Sequence, residues 1–241
     1  MKKFIADESF WNLFPEAEIA VLSVKGVQAS RELPDAQKKE IRALLEQANQ
    51  EARKYLTSDV ISENHVPAVW RAAYQKFPGK KGARCSVENL LKRVLHGKPV
   101  GMIAPAVDVT NAISLKYAFP IGVENLDQIR GDLHLGTMKG GEDFIPIGSE
   151  EQDPPLPGEV AYYDEAGAVC RCFNWRDGQR TEVTDDTHTE IILMENLEPE
   201  RAEDLQHALS ELQQLMKEYL CAEIVHAGMV SRGHPSIEIE E

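Results

Sequence analysis

No apolar run in this 241-residue chain approaches the ~20 residues that a membrane span requires. The opening stretch, Met1 to Phe14, carries Lys2 and Lys3 but no apolar core, and Asp7 and Glu8 interrupt it. It reads neither as a signal peptide nor as a transit peptide, so a cytoplasmic location away from membranes is expected. Cysteine is scarce, with only Cys85, Cys170, Cys172 and Cys221. Cys170 and Cys172 form a C-x-C in a strand-like stretch, and residues two apart on a strand share a face. That pair alone suggests a metal, but no second pair, no C-x-x-C and no His pair at zinc-ligand spacing completes such a site. Small buried thiols kept reduced are the expectation, with no disulfide, metal or cofactor. Also missing are G-x-G-x-x-G after a strand, G-x-x-x-x-G-K-[ST], G-x-S-x-G and H-E-x-x-H, which argues against nucleotide-binding and nucleophilic-serine enzymes. There is no internal repeat.

Positive charge is the other shortage. Lys and Arg number 26 against 40 Asp and Glu, a net charge of −14. A uniformly acidic surface repels nucleic acid, because phosphate contacts supply most of that affinity. The charge is not uniform. Arg71, Lys76, Lys80, Lys81, Arg84, Lys92, Arg93 and Lys98 lie in one segment opposed only by Glu88. Two readings stand: a solvated helix face with a basic loop, or a local phosphate footprint.

What is present is periodic. Hydrophobic residues make up 42% of the chain, enough to exclude wholesale disorder. Glu18 to Val27 reads as a strand. Pro34-Asp35 opens a helix to about Leu56, with Ile41, Leu44, Leu45 and Ala48 at helical spacing. Val66 to Lys76 reads as a helix closed by Phe77-Pro78-Gly79. Val87 to about His96 is a third, with Ser86 as its N-cap. Val107 to Tyr117 begins as loop and becomes helix, capped by Asp108 or Thr110. Short β segments follow. Asp132 to Met138 and Asp143 to Gly148 flank Lys139-Gly140-Gly141, a hairpin signal. Pro154 to Gly158 is a stiff connector. Val160 to Tyr163 and Ala168 to Asn174 form a second hairpin, and Thr189 to Met194 is the last buried strand. Pro199 precedes a helix to about Cys221. Ser231 to Glu241 reads as a polar acidic tail, partly disordered. Helices around a block of antiparallel strands argue α+β rather than a doubly wound sheet, one domain over residues 1–230.

Two stretches carry a family resemblance. One is Ala106-Val107-Asp108-Val109-Thr110-Asn111-Ala112-Ile113-Ser114-Leu115 with Pro120-Ile121 and Leu126-Asp127-Gln128-Ile129. The other runs from Gly131-Asp132 through Gly140-Gly141-Glu142-Asp143-Phe144 and Ile147-Gly148 to Gly158-Glu159-Val160 and Ala168-Val169-Cys170. Over roughly Val66 to Glu195 the chain resembles the B3/B4 editing domain of the phenylalanyl-tRNA synthetase β subunit, in the form of a freestanding B3/B4 protein. The resemblance implies a B3/B4-like α+β fold of antiparallel strands packed with helices, and RNA binding in the phenylalanine–tRNA ligase system. It also implies an aminoacyl-tRNA deacylase acting in trans by metal-free ester hydrolysis. Its partners would be the aminoacylated 3′ end of a tRNA and its amino acid, not DNA. Asn111 matches a pocket Asn, and Asp177 stands nearest to a pocket Glu; both are the catalytic candidates. Gly122 stands where the synthetase has a His, so activity on an amino acid other than tyrosine, or slower activity on tyrosine, is expected.

Other candidates for substrate binding are Arg84 and Ser86, at a helix N-terminus suited to anions. The alternative there is a capping Ser beside a solvent-facing Arg. Asn174, Trp175 and Arg176 with Asp177 form a strand-to-turn corner that either holds an adenine or an amino-acid side chain, or is a turn with its Trp tucked into the core. Glu124 is either an α-amino ligand or a surface Glu. His134 and His188 read as ordinary strand and turn residues. Besides the hydrolase, a non-catalytic module for tRNA or amino acids and an enzyme or sensor for free amino acids stay open.

Overall fold

The computed structural model describes residues 1–240. In chain order the elements are β1 (Lys3–Ala6), α1 (Glu8–Leu13), β2 (Glu18–Lys25), α2 (Asp35–Glu51), α3 (His65–Ala73), α4 (Ser86–Leu95), α5 (Pro105–Tyr117), β3 (Ile121–Asn125), β4 (Leu133–Thr137), β5 (Val160–Asp164), β6 (Gly167–Arg171), β7 (Arg176–Asp177), β8 (Thr189–Asn196), α6 (Ala202–Leu220), β9 (Glu223–Val230) and β10 (Ser236–Glu238), joined by short 3₁₀ turns. The strands form two sheets. One has the order β10-β1-β4-β5-β6-β7 and the other β3-β8-β2-β9. All pairings are antiparallel except β1 with β4. The fold is α+β, as the sequence predicts.

The alternation of side chains along a strand shows how the layers stack. On β2, Ile19 and Val21 join the core that contains Phe4, Leu133, Leu135, Val160 and Tyr162 of the six-stranded sheet. Ala20, Leu22 and Val24 join the core built with Ile41 of α2, Val109 and Ile113 of α5, and Leu205, Leu212 and Met216 of α6. β8 divides the same way, Ile191 and Leu193 to the first core, Ile192 and Met194 to the second. The four-stranded sheet is therefore a middle layer, sheet on one side and helices on the other. Burial on both faces is why its strands read as nearly continuous apolar runs. A full side-chain burial of this kind contributes about 1.5–3 kcal/mol per Leu, Ile or Phe.

Several expectations are corrected. α5 is helical from Pro105, because proline is well placed in a first turn where its missing N–H costs nothing. Asp108 is not a cap; its carboxylate accepts from the Ile103 N–H at 2.7 Å and braces the incoming loop. Ser86 is the first residue of α4 and Cys85 is its N-cap. Asp143 to Gly148 forms no strand, apart from a single bridge of Pro146 to Gly178. The Lys139-Gly140-Gly141 turn is instead closed by Glu142, whose carboxylate accepts from the Lys139 and Gly140 N–H groups at 2.8 and 2.9 Å. β3, β9 and β10 lie in stretches not read as strands, and β10 occupies the expected tail. Glu241, the last residue of that tail, lies outside the described residues. Cys172 has φ +48 and Phe173 φ +66, so the chain leaves the strand direction there, and Cys170 and Cys172 do not continue one strand face.

Candidate functional site

The polar site is built by strand register. On the six-stranded sheet Tyr162 pairs with Cys170, and Cys170 with Asp177. That row of three crosses β5, β6 and β7. On the facing sheet Gly122 and Glu124 of β3 pair with Leu193 and Ile191 of β8, and Glu195 follows two residues after Leu193. These residues project into the layer between the sheets. With Ser86 at the start of α4 and with Asn174 and Trp175, they enclose a cavity of about 40 Å³.

The corner that brings Asn174 and Trp175 there is braced. Cys172 and Phe173 are in the left-handed region, a cost of order 1–3 kcal/mol each for ordinary residues. Phe173 sits in an aromatic cluster, 5.3 Å from Trp70, 5.4 Å from Phe10 and 5.6 Å from Phe14. Glu159, fully buried, accepts from Arg171 at 2.9 and 2.7 Å and from the Cys172 N–H at 3.0 Å. Beyond the corner, the Asn174 carbonyl accepts from the Ser86 N–H at 3.1 Å, tying α4 to it.

Three carboxyl groups share this buried space. Glu195 accepts from the Tyr162 hydroxyl at 2.5 Å and from the Asn174 amide at 3.2 Å. Burial nevertheless pushes its pKa up to about 8. Glu124 is held well above the usual carboxylate range, first by burial and then by the charge of Asp177. Asp177 is raised too, by burial. By surface area it is half-buried, yet protein atoms crowd it closely enough for that shift. Glu124 Oε2 and Ser86 Oγ are buried without a hydrogen-bond partner. Such orphaned polar atoms cost about 1–3 kcal/mol each unless something satisfies them.

Chemically, the site gathers three carboxyl groups and two unpartnered polar atoms around a small cavity, an arrangement that suits a cationic or hydrogen-bonding ligand group. Burial keeps each of its carboxyl groups protonated to a higher pH than usual, Glu195 up to about 8. Among the described residues no group of three His, Cys, Asp or Glu has a metal-holding arrangement.

Of the residues singled out in the sequence, Ser86, Glu124, Asn174, Trp175 and Asp177 border this cavity, and Gly122 does too. Glu124 is not a surface Glu, being 2% exposed. Trp175 is half-buried and packs on the core. Arg176 is exposed and points its charge from outside at Asp177. Asn111, half-buried on α5, does not border the cavity. Arg84 is turned to Glu88, 3.8 Å away, the same buried carboxylate that Arg71 clamps at 2.7 Å. With the Ser86 N–H also taken by Asn174, little of the expected anion site at the start of α4 is free. Tyr162 and Glu195 are not singled out by the sequence, and Cys170 is singled out there only as half of a C-x-C metal pair, not for this cavity. The one signal was Glu195 itself, a carboxylate at an inward position of an apolar strand, in phase with Ile191 and Leu193.

A three-layer α+β unit with a carboxyl-lined cavity between its sheets is the class this architecture defines. The family model of the B3/4 domain matches residues 69–221, and the chain belongs to that family. The match takes in α6, beyond the Val66 to Glu195 stretch of the sequence resemblance. Among solved structures, an N-terminal fragment of the phenylalanyl-tRNA synthetase β-subunit from Pyrococcus horikoshii is similar. It shows 14% identity and a TM-score of 0.47, covering 92% of this chain and 49% of that one. The chain thus spans about half the length of that fragment. No curated protein matches. No helix among the described residues is long and apolar enough to cross a membrane.

Proposed function

We propose that this B3/4 protein binds the amino-acid end of an aminoacyl-tRNA and hydrolyses the ester bond. The single observation that supports it is the convergence of buried Glu124 and Glu195 with half-buried Asp177, beside an unpartnered Glu124 oxygen and an unpartnered Ser86 hydroxyl, at one small cavity. The α-ammonium group is the part of an aminoacyl ester that suits this charge. Its arrival lets a carboxylate ionise that is otherwise held protonated, so binding and proton release are linked.

In this reading Glu124 holds the ammonium and Ser86 Oγ donates to the ester carbonyl oxygen. Asp177, nearest to solvent of the three, takes a proton from the attacking water. The water oxygen bonds to the carbonyl carbon, the bond to the ribose oxygen breaks, and the proton passes to that oxygen. The products are the free amino acid and a tRNA with its hydroxyl restored. A positioned general base is worth ~10²–10⁴ in rate. Asn111 takes no part in this site.

The test is a panel of tRNAs, each charged with one amino acid, incubated with wild type, Glu124→Gln and Asp177→Asn. Release faster than in buffer by wild type, and at least about 10²-fold slower with Asp177→Asn, supports the reading. Hydrolysis of none of them leaves the second reading, a binding module without catalysis. One observation favours that module: Gly122 puts no imidazole into the cavity.

A further inference from the structure

The basic segment does not behave as one surface. Arg71 and Arg84 are committed to Glu88, and Lys80 to Asp153 at 2.5 Å. Lys76 donates to the Leu13 carbonyl and lies over the Phe14 ring. Lys81, Lys92, Arg93 and Lys98 remain, all exposed, with no carboxylate in ion-pair range among the described residues; Lys81 lies in the loop before α4, and the other three stand in a stretch with no acidic residue between Asn89 and Val107.

A second element adds to them. The Asn49 side chain of α2 holds the Val100 backbone by two bonds, donating to its carbonyl at 3.0 Å and accepting from its N–H at 2.8 Å. This clamp lays the turn after α4 along the end of α2. The groove between them, about 310 Å³, is bordered by Arg53, Val94, Gly97 and Pro99, with Glu46 as its one carboxylate. Arg93 donates to the Pro99 carbonyl at 3.2 Å, which fixes its guanidinium over the same turn. Exposed Arg53 stands on the opposite bank. Lys92 and Arg93 complement the negative end of the α4 dipole. That does not account for Lys98 beyond the helix, or for Arg53 on a different element.

We propose that Arg53, Arg93 and Lys98 form a phosphate-binding surface for the backbone of the RNA whose aminoacylated end enters the cavity. This rests on the functional reading above. α4 supplies the geometry: Ser86 borders the cavity at its first residue, and the basic turn follows its last. Ten residues of helix separate the two by about 15 Å, a distance that a few unpaired nucleotides cross. On a chain of net charge −14 such a surface orients as well as binds, because the remainder of the protein repels the polyanion.

The experiment compares wild type with Arg53→Gln/Arg93→Gln/Lys98→Gln by filter binding of uncharged tRNA over a range of salt. A variant of three distant exposed cations, Arg130→Gln/Lys139→Gln/Lys217→Gln, carries the same change in net charge. The groove variant is expected to bind on the order of ten-fold or more weakly at low salt. Its log–log salt slope should fall by about two to three, as three lost phosphate contacts imply. The distant variant should keep the wild-type slope. Equal binding by both variants, or no tRNA binding by wild type at low salt, overturns the proposal. Hydrolysis is read separately, on an aminoacyl ester lacking phosphate, which the groove variant should cleave at the wild-type rate. If no ester is cleaved but the groove variant alone loses tRNA, the hydrolytic reading falls and the surface stands.

Discussion

At the residue scale, the carboxyl groups between the sheets make a prediction independent of any substrate. Glu195 and, on the same strand, Glu190 are each raised by burial from 4.5 to about 8. Between those two values the folded chain holds protons that the unfolded chain has released. Raising the pH through that window therefore removes stability. The melting temperature is expected to fall from pH 5 to pH 8, and Glu195→Gln and Glu190→Gln should each flatten part of the fall, with Glu124 contributing to what is left. Each kcal/mol corresponds to about 2–4 °C for a chain of this size. A melting temperature that rises over that window, or a slope untouched by both substitutions, contradicts the buried-acid assignment. Gly122 gives a second test. A Cβ built there meets nothing within 4 Å, so Gly122→Ala should change stability by no more than about 0.5 kcal/mol. It borders the cavity, so the same change should slow ester cleavage. Loss of stability without loss of rate would show that the space serves packing alone.

At the element scale, α4 is held to the body by an ion pair rather than by a capping side chain. Arg71 of α3 reaches Glu88 with three hydrogen bonds of 3.2, 3.1 and 2.7 Å, and the Glu88 side chain is only 3% exposed. Arg71→Met leaves that carboxylate buried with distant Arg84 as its remaining partner. Breaking a fully buried pair costs about 3–5 kcal/mol; Arg71 is 31% exposed, so roughly 2–3 kcal/mol is expected in a denaturant titration. Lys92→Met, on the same helix but unpaired, should cost no more than about 0.5 kcal/mol. Equal effects would show that the Arg71 bonds are a surface ornament.

The helices α2 to α6 and the strands β2, β5, β6 and β8 were legible because periodicity is a local property, whereas α1, only six residues long, carried no such pattern. β10 was not, since Ser236-Ile237-Glu238 has no pattern of its own and becomes a strand only by pairing with β1. The Lys139-Gly140-Gly141 signal misled for the complementary reason. Its glycines mark a real turn, at φ +95 and +89 for Gly140 and Gly141, but Glu142 satisfies its N–H groups without a partner strand. The site was half legible. Glu124, Asn174 and Asp177 stood out as polar residues near turns, whereas their convergence on Tyr162 and Glu195 depends on which sheet faces which. Sequence spacing does not carry that.

At the scale of the molecule, the two sheets are in step. The edge β7 of one lies with β3 of the other around the cavity, and at the far edge β10 lies with β9. β10 closes that far edge. It pairs with β1, the Pro235 carbonyl accepts from the Ala6 N–H at 2.8 Å and the Ile239 N–H donates to the Lys2 carbonyl at 3.0 Å. Ile237 packs so tightly on Gly228 of β9 that a Cβ there would stand 2.8 Å from its Cδ1. Ile239 is wholly buried. Ending the chain at Gly233 would strip these contacts and leave β1 as an unprotected edge, a template for pairing with other chains. Burial of Ile239 alone is worth about 1.5–3 kcal/mol, so the truncated chain should melt roughly 5–10 °C lower and aggregate on heating. Ile239→Ala, which keeps the strand, should reproduce most of the loss of stability but not the aggregation. Below the melting range both variants should bind tRNA and cleave ester as wild type does, because the cavity and the α4 turn sit away from β10. Loss of function in the still-folded truncated chain would mean that the two edges of the sandwich are coupled, and that the site depends on the whole two-sheet frame rather than on its own edge.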